Sequence, residues 1–108
     1  MKRAFLFVVV ALTGCVSIPH LTPAQLAWAS SKWPDTQTAE LEQGRSLYVT
    51  RCGSCHTAPA PSEVMEQKDA DMVREMSDRA HLTAAEQQAV MRFIEAASSG
   101  GAPSVAAR

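Results

Sequence analysis

Three observations predict an all-α domain. Apolar residues recur at intervals of three and four along several segments, and two of those segments open on a Thr-x-x-Gln or Thr-x-x-Glu capping box. No stretch alternates apolar and polar residues in the manner of a half-buried strand, and neither an internal repeat nor a nucleotide-binding glycine loop is present.

The first helix starts at Thr22-Pro23-Ala24-Gln25, with Thr22 as N-cap, Pro23 at the first helical position and Gln25 closing the box. It is expected to run to about Lys32 and stop before Pro34, with Leu26 and Ala29 on one face and Trp28 on another. The next helix covers Thr38 to Val49 and beyond, where Leu41, Gly44, Leu47 and Tyr48 share a face. Its acidic residues come early and Arg45 and Arg51 late, which suits the helix dipole. Gly44 costs about 1 kcal/mol in a helix interior, a cost that close approach by a second helix would offset.

After His56 the run Thr57-Ala58-Pro59-Ala60-Pro61 is incompatible with regular helix, and Ser62 is expected to cap a short turn through Met65 to Gln67. Asp69 to Ala80 reads as a further helix with Met72, Val73, Met76 and Ala80 on one side. The last helix begins at Thr83-Ala84-Ala85-Glu86, a second capping box, and carries Val90, Phe93, Ile94 and Ala97 inward. Ser98-Ser99-Gly100-Gly101-Ala102-Pro103 stops it, and residues 99–108 form a tail expected to be disordered.

The chain has 108 residues, enough for one domain. Residues 1–14 look like an export signal: Lys2 and Arg3 give a positive start and Ala4 to Leu12 an apolar run. That run falls well short of the roughly 20 residues a membrane-spanning helix needs. It ends in Leu12-Thr13-Gly14-Cys15, which resembles the lipobox of bacterial lipoproteins. The resemblance implies a diacylglyceryl group on Cys15, cleavage before it, and a lipidated tether over residues 15–21. Cleavage also removes Lys2 and Arg3, moving the net charge from −1 to about −3. Such a mildly acidic surface gives no reason to expect nucleic-acid binding. The domain proper is placed at residues 22–98, with a core over 38–98 preceded by the extra helix at 22–33. A domain this small buries a modest core and gains from a disulfide, metal or cofactor staple.

Cys52-Gly53-Ser54-Cys55-His56 is a C-x-x-C-H run. Two thiols at this spacing can add to the two vinyl groups of a haem while the next residue brings its imidazole to the iron, and small Gly53 and Ser54 permit the turn between the sulfurs. A thioredoxin-like pair belongs in a βαβ setting, which is missing here. A structural zinc site takes four ligands, and beyond the two thiols the chain offers only the scattered His20, His56 and His81. A disulfide between the pair would be strained and would leave His56 without a purpose. Haem attachment through Cys52, Cys55 and His56 is therefore the expectation.

Leu41 to His56 resembles the N-terminal helix and haem motif of class I cytochromes c, and Leu82 to Ile94 resembles their C-terminal helix. The likeness covers about residues 40 to 97, and C-x-x-C-H is its one highly specific part. It implies a small class I cytochrome c-like helical fold around one covalent haem c, with Gly44 meeting the last helix near Phe93 at a crossing. It also implies a methionine thioether as sixth iron ligand, between the haem motif and the last helix. Met76 fits that spacing best, with Met72, Met65 and the histidine His81 as alternatives. The short members of the family often carry a tryptophan about seven residues before this methionine, where Asp69 stands here. A proline after the motif, Pro59 or Pro61, is implied as the carbonyl acceptor for the second ring nitrogen of His56. Tyr48, Trp28 and Trp33 are candidates for the haem wall, with plain core packing the simpler account of each.

The function expected is a one-electron Fe(III)/Fe(II) carrier, exchanging electrons with donor and acceptor proteins and tethered by lipid on the periplasmic side of a bacterial membrane. Val16, where some inner-membrane lipoproteins have aspartate, favours the outer membrane by analogy. No paired carboxylates, activated nucleophile or open metal site points to an enzyme. A haem-based sensor, or the electron-transfer subunit of a larger oxidoreductase, would use the same motif.

Overall fold

The structure, a computed structural model, describes residues 17–66 and 70–99. The export signal, Cys15, the helix start expected at Asp69 and the tail from residue 100 lie outside the described residues. Within them every regular element is helical: α1 (Pro23–Lys32), α2 (Thr38–Leu47), a π-helical turn (Tyr48–Cys52), α3 (Pro61–Glu66), α4 (Ala70–Arg79) and α5 (Ala84–Ala97). The domain is all-α, and no described helix is long and apolar enough to cross a membrane.

Both capping boxes form. The Thr22 hydroxyl accepts from the Gln25 amide at 3.2 Å while the Gln25 side chain accepts from the Thr22 amide at 2.8 Å. At the start of α5, Thr83 and Glu86 exchange the same pair of bonds at 3.2 and 2.8 Å. Gln25 also links two helices. It is buried, and its Nε2 donates to the Ala97 carbonyl at 3.0 Å, tying α1 to the end of α5.

The centre of the fold is the packing of α2 on α5, the most extensive between any two helices. Gly44 makes it possible. A Cβ built at Gly44 would stand 2.1 Å from the Ala89 carbonyl oxygen and 3.0 Å from the Phe93 Cβ. Hydrogen in place of a methyl lets the two backbones touch, and Phe93, fully buried, fills the space beside the contact. Tyr48 packs against it with ring centroids 6.0 Å apart. On α5, Ala89, Phe93 and Ala96 form one buried row and Val90 and Ile94 another. Ala97, expected inward, is only half-buried, because the first row continues into Ala96 instead.

Other elements differ from expectation for local reasons. Helical hydrogen bonding continues past Leu47, but in the wider π form from Tyr48 to Cys52. Ser62 does not cap α3. The helix begins one residue earlier at Pro61, whose fixed φ suits a first helical position, and Ser62 is exposed within its first turn. The Ala60 carbonyl accepts from the amides of Glu63 and Val64, and the Glu63 carboxylate accepts from the Ala60 amide at 3.2 Å. At the other end of α4, the amide of His81 bonds the Asp78 carbonyl and that of Leu82 bonds the Ser77 carbonyl. His81 sits between at φ 57°, so it is the left-handed residue of a Schellman stop.

The segment before α1 is not a free leash. Ile18 and Leu21 are each 8 % exposed and belong to the core. Both Nε and Nη2 of Arg45 donate to the Ile18 carbonyl, at 3.1 and 2.6 Å. The tether expected over 15–21 is therefore packed onto the domain from Ile18 onward. After α1, Trp33 lies between the cations of Lys32 and Arg92, 5.0 and 5.4 Å from its ring centre, and meets Trp28 edge-on. Arg92 also pairs with Glu40 and bonds Thr36, which fixes the α1–α2 connection to α5.

Candidate functional site

The π-helical turn and the loop after it deliver the C-x-x-C-H residues to a cavity of about 320 Å³, within the range of small-ligand and cofactor sites. Cys52, Ser54, Cys55 and His56 line it, with Tyr48 and Pro59 beside them. From α4 come Met72, Val73, Met76 and Arg79, and from α5 Val90 and Ile94; Val64 of α3 closes the apolar wall. The sequence motif and the methionine helix, separate along the chain, thus face one space.

Each wall has a local cause. Gly53 follows the π turn with an ordinary φ of −85°, so its requirement is space rather than a left-handed backbone. A Cβ there would come within 2.4 Å of the Val49 carbonyl oxygen, and only glycine lets the chain turn between the two thiols. The Ser54 hydroxyl donates to the Arg51 carbonyl at 2.8 Å and pins that turn. On α4 the period of 3.6 places Met72, Val73 and Met76 toward the cavity, while Ser77 is buried with its hydroxyl on the Val73 carbonyl.

Cys52 is half-buried and Cys55 exposed, and neither is in a disulfide. Burial pushes the Cys52 thiol above its ordinary range. A redox-active or nucleophilic cysteine is usually shifted the other way, so Cys52 is not built as a thiolate. Burial also raises Tyr48 strongly, with smaller contributions from the negative charges of Cys52 and Glu63. The Tyr48 hydroxyl donates to the Pro59 carbonyl. Pro59 is one of the two prolines whose carbonyl was expected to serve His56, but the His56 Nδ1 instead lies 3.0 Å from the Thr57 carbonyl. With Nδ1–H donating there, the Nε2 lone pair is left for a ligand.

The other sequence candidates fall elsewhere. His81 is exposed, serves the Schellman stop and does not line the cavity. Met65 lines a smaller hollow of about 190 Å³ with Met91, Val64 and Ile94. Trp28 and Trp33 are absent from the cavity wall and pack with Lys32 and Arg92. Two lining residues are not singled out by the sequence pattern. Among the described residues, Arg51 and Arg79 are the only Asp, Glu, Lys or Arg side chains on the wall, and both are cationic. Adjacency to Cys52 and a three-residue step from Met76 were their only signals. Arg51 donates to the Ala80 carbonyl at 3.4 Å, and Arg79 pairs with Glu75 at 2.6 Å.

Among the described residues, no three His, Cys, Asp or Glu side chains converge so as to hold a metal ion. Neither a protein-family model nor a curated protein nor a solved structure matches the chain.

Proposed function

We propose that the protein is a lipid-anchored, periplasmic one-electron carrier with a single covalent haem c, in the manner of a short class I cytochrome. The carrying observation is the cavity that brings Cys52, Cys55 and His56 together with Met72 and Met76 in an apolar enclosure. The residues present fit such a group. A porphyrin iron needs only axial ligands from the chain, so one imidazole and one thioether suffice where a bare metal ion lacks a binding cluster. When bound, the haem supplies Fe(III)/Fe(II) chemistry.

Cys52 and Cys55 would hold the group covalently, each thiol adding its sulfur to one carbon of a vinyl group and its hydrogen to the other. Their positions on either side of the Gly53 turn hold the group in register. His56 would bind the iron through Nε2, its ring oriented by the Thr57 carbonyl. Met76 is the residue favoured to give the iron its second side-chain ligand, and its soft thioether would favour the reduced state. Met72 lines the same cavity, and its role is that of apolar wall. Arg51 places positive charge beside the site, which would also favour reduction, while the charge of Arg79 is offset by Glu75. Cys15 carries the acyl chains, and attachment to the outer membrane is favoured.

Spectra of the purified holoprotein and two variants test this reading. Native protein should show the reduced bands of a thioether-linked haem and the weak far-red ferric band of methionine ligation. That ferric band should vanish in Met76→Leu and persist in Met72→Leu. The reverse pattern would move the ligand to Met72, and loss in neither would exclude both. Carbon monoxide binding to native ferrous protein would favour a ligand-binding module over a carrier. Absence of covalent haem would sink the proposal.

A further inference from the structure

The packed segment before α1 sets how far the domain can stand from its anchor. Ile18 and Leu21 are core residues, and the Ile18 carbonyl is gripped by two donors of Arg45. His20, between them, reaches Glu42 of α2 at 3.0 Å. Residues 18–33 therefore form one strap: Ile18 and His20 are bonded to α2, and Gln25 and Lys32 to α5. Only two residues, Val16 and Ser17, separate Cys15 from this strap along the chain.

Three residue steps of extended chain span at most about 11 Å. A bilayer is about 30 Å thick in its hydrocarbon core and about 40–45 Å with headgroups, so each headgroup layer takes roughly 5–8 Å. A leash that begins at the base of this layer has only about 3–6 Å left after crossing it. We infer that, given lipid on Cys15 as proposed above, the domain lies directly on the headgroups of its own membrane, seated through the strap and the adjoining side of α2. The side chains around the seat, His20, Glu42 and Arg45, are of mixed charge, which suits a zwitterionic headgroup surface without requiring an anionic one. Peeling the strap to gain reach would expose two aliphatic side chains and leave Arg45 without its acceptor. The carrier is thus held at the membrane surface, and proteins that exchange electrons with it must reach it there.

Neutron reflectometry of the full-length acylated protein in a supported phosphatidylethanolamine–phosphatidylcholine bilayer tests the seat without using the haem. Protein density should begin at the headgroups with no resolved water layer. A variant with 20 Gly and Ser residues inserted between Ser17 and Ile18 should lift off by about 25 Å, the root-mean-square span of such a linker. Circular dichroism checks that the insertion leaves the helices intact. A native water gap wider than about 6 Å, the most such a leash leaves beyond the headgroups, would overturn the inference by showing that the strap has peeled. If the insertion variant also lay flat, surface adhesion rather than leash length would hold the domain, and the inference would fall. Mass spectrometry of the N-terminal peptide separates these failures from that of the anchor: an unacylated Cys15 would overturn both.

Discussion

Tyr48 joins the fold to the site at the scale of a single residue. Its ring is buried against Phe93, its hydroxyl donates to the Pro59 carbonyl, and it lines the cavity. Burial raises its pKa well above the usual 10.0, so the fold retains the neutral phenol. Because the folded value exceeds the unfolded one, this contribution is complete below about pH 10. It is lost as pH rises from there toward the folded value, since only the unfolded chain then releases its proton. Denaturant titrations should therefore show native protein losing more stability than Tyr48→Phe between pH 9 and about pH 11. At neutral pH the same variant should be about 1 kcal/mol less stable, because the Pro59 carbonyl loses its donor. Equal alkaline losses in both proteins would remove Tyr48 from the account. Tyr48 is the only tyrosine in the chain, so its labelled ring-carbon resonance reports the titration directly.

Helix α2 and the elements around it show what a crossing demands. Sequence periodicity placed Gly44 on the apolar face, and the crossing with α5 explains why an unfavourable helix residue stands there. Gly44→Ala gains about 1 kcal/mol in helix propensity. Its methyl meets a backbone oxygen that no side-chain rotation can move, and overpacking of this kind typically costs about 1–3 kcal/mol and occasionally more. The two helices must separate by more than an ångström to accept it, so a net loss of about 2 kcal/mol is expected in thermal or denaturant unfolding. An unchanged or raised melting temperature would show that the crossing relaxes freely. The helix expected through Arg51 continues to Cys52, but its last turn is π rather than α. Periodicity reports which residues are apolar, and the change from α to π hydrogen bonding at Tyr48 leaves that pattern almost untouched.

For the whole molecule, the apolar surface around the cavity is supplied by all of α3, α4, α5 and the C-x-x-C-H loop, and no helix pair closes it alone. Filling that space with a bound group should contribute a large part of the stability of so small a domain. On the proposed reading, Cys52→Ala/Cys55→Ala would remove the covalent attachment of haem and should lower unfolding stability by about 5 kcal/mol, a sizeable share of the total for a typical domain. Cooperative thermal unfolding by circular dichroism should weaken or disappear. A variant that melts as sharply and at the same temperature as native protein would show that the helices stand without the group.

The sequence by itself determined the helical class, both capping boxes and the candidacy of Cys52, Cys55 and His56, while the meeting of Gly44 with Phe93 was implied only by the likeness to class I cytochromes c. The former rest on local chemistry: a hydroxyl three residues before a Gln or Glu, an apolar period, two thiols and an imidazole at fixed spacing. Tertiary structure decided which long-range partners those residues meet. It gave the Pro59 carbonyl to Tyr48 and the Thr57 carbonyl to His56, and it turned His81 into a helix stop. It placed Arg51 and Arg79 on the cavity wall and folded the supposed leash at Ile18 into the core. None of these follows from spacing, because each is a competition among several donors or apolar side chains for one acceptor or one space. Only the packed chain brings the competitors within reach of each other.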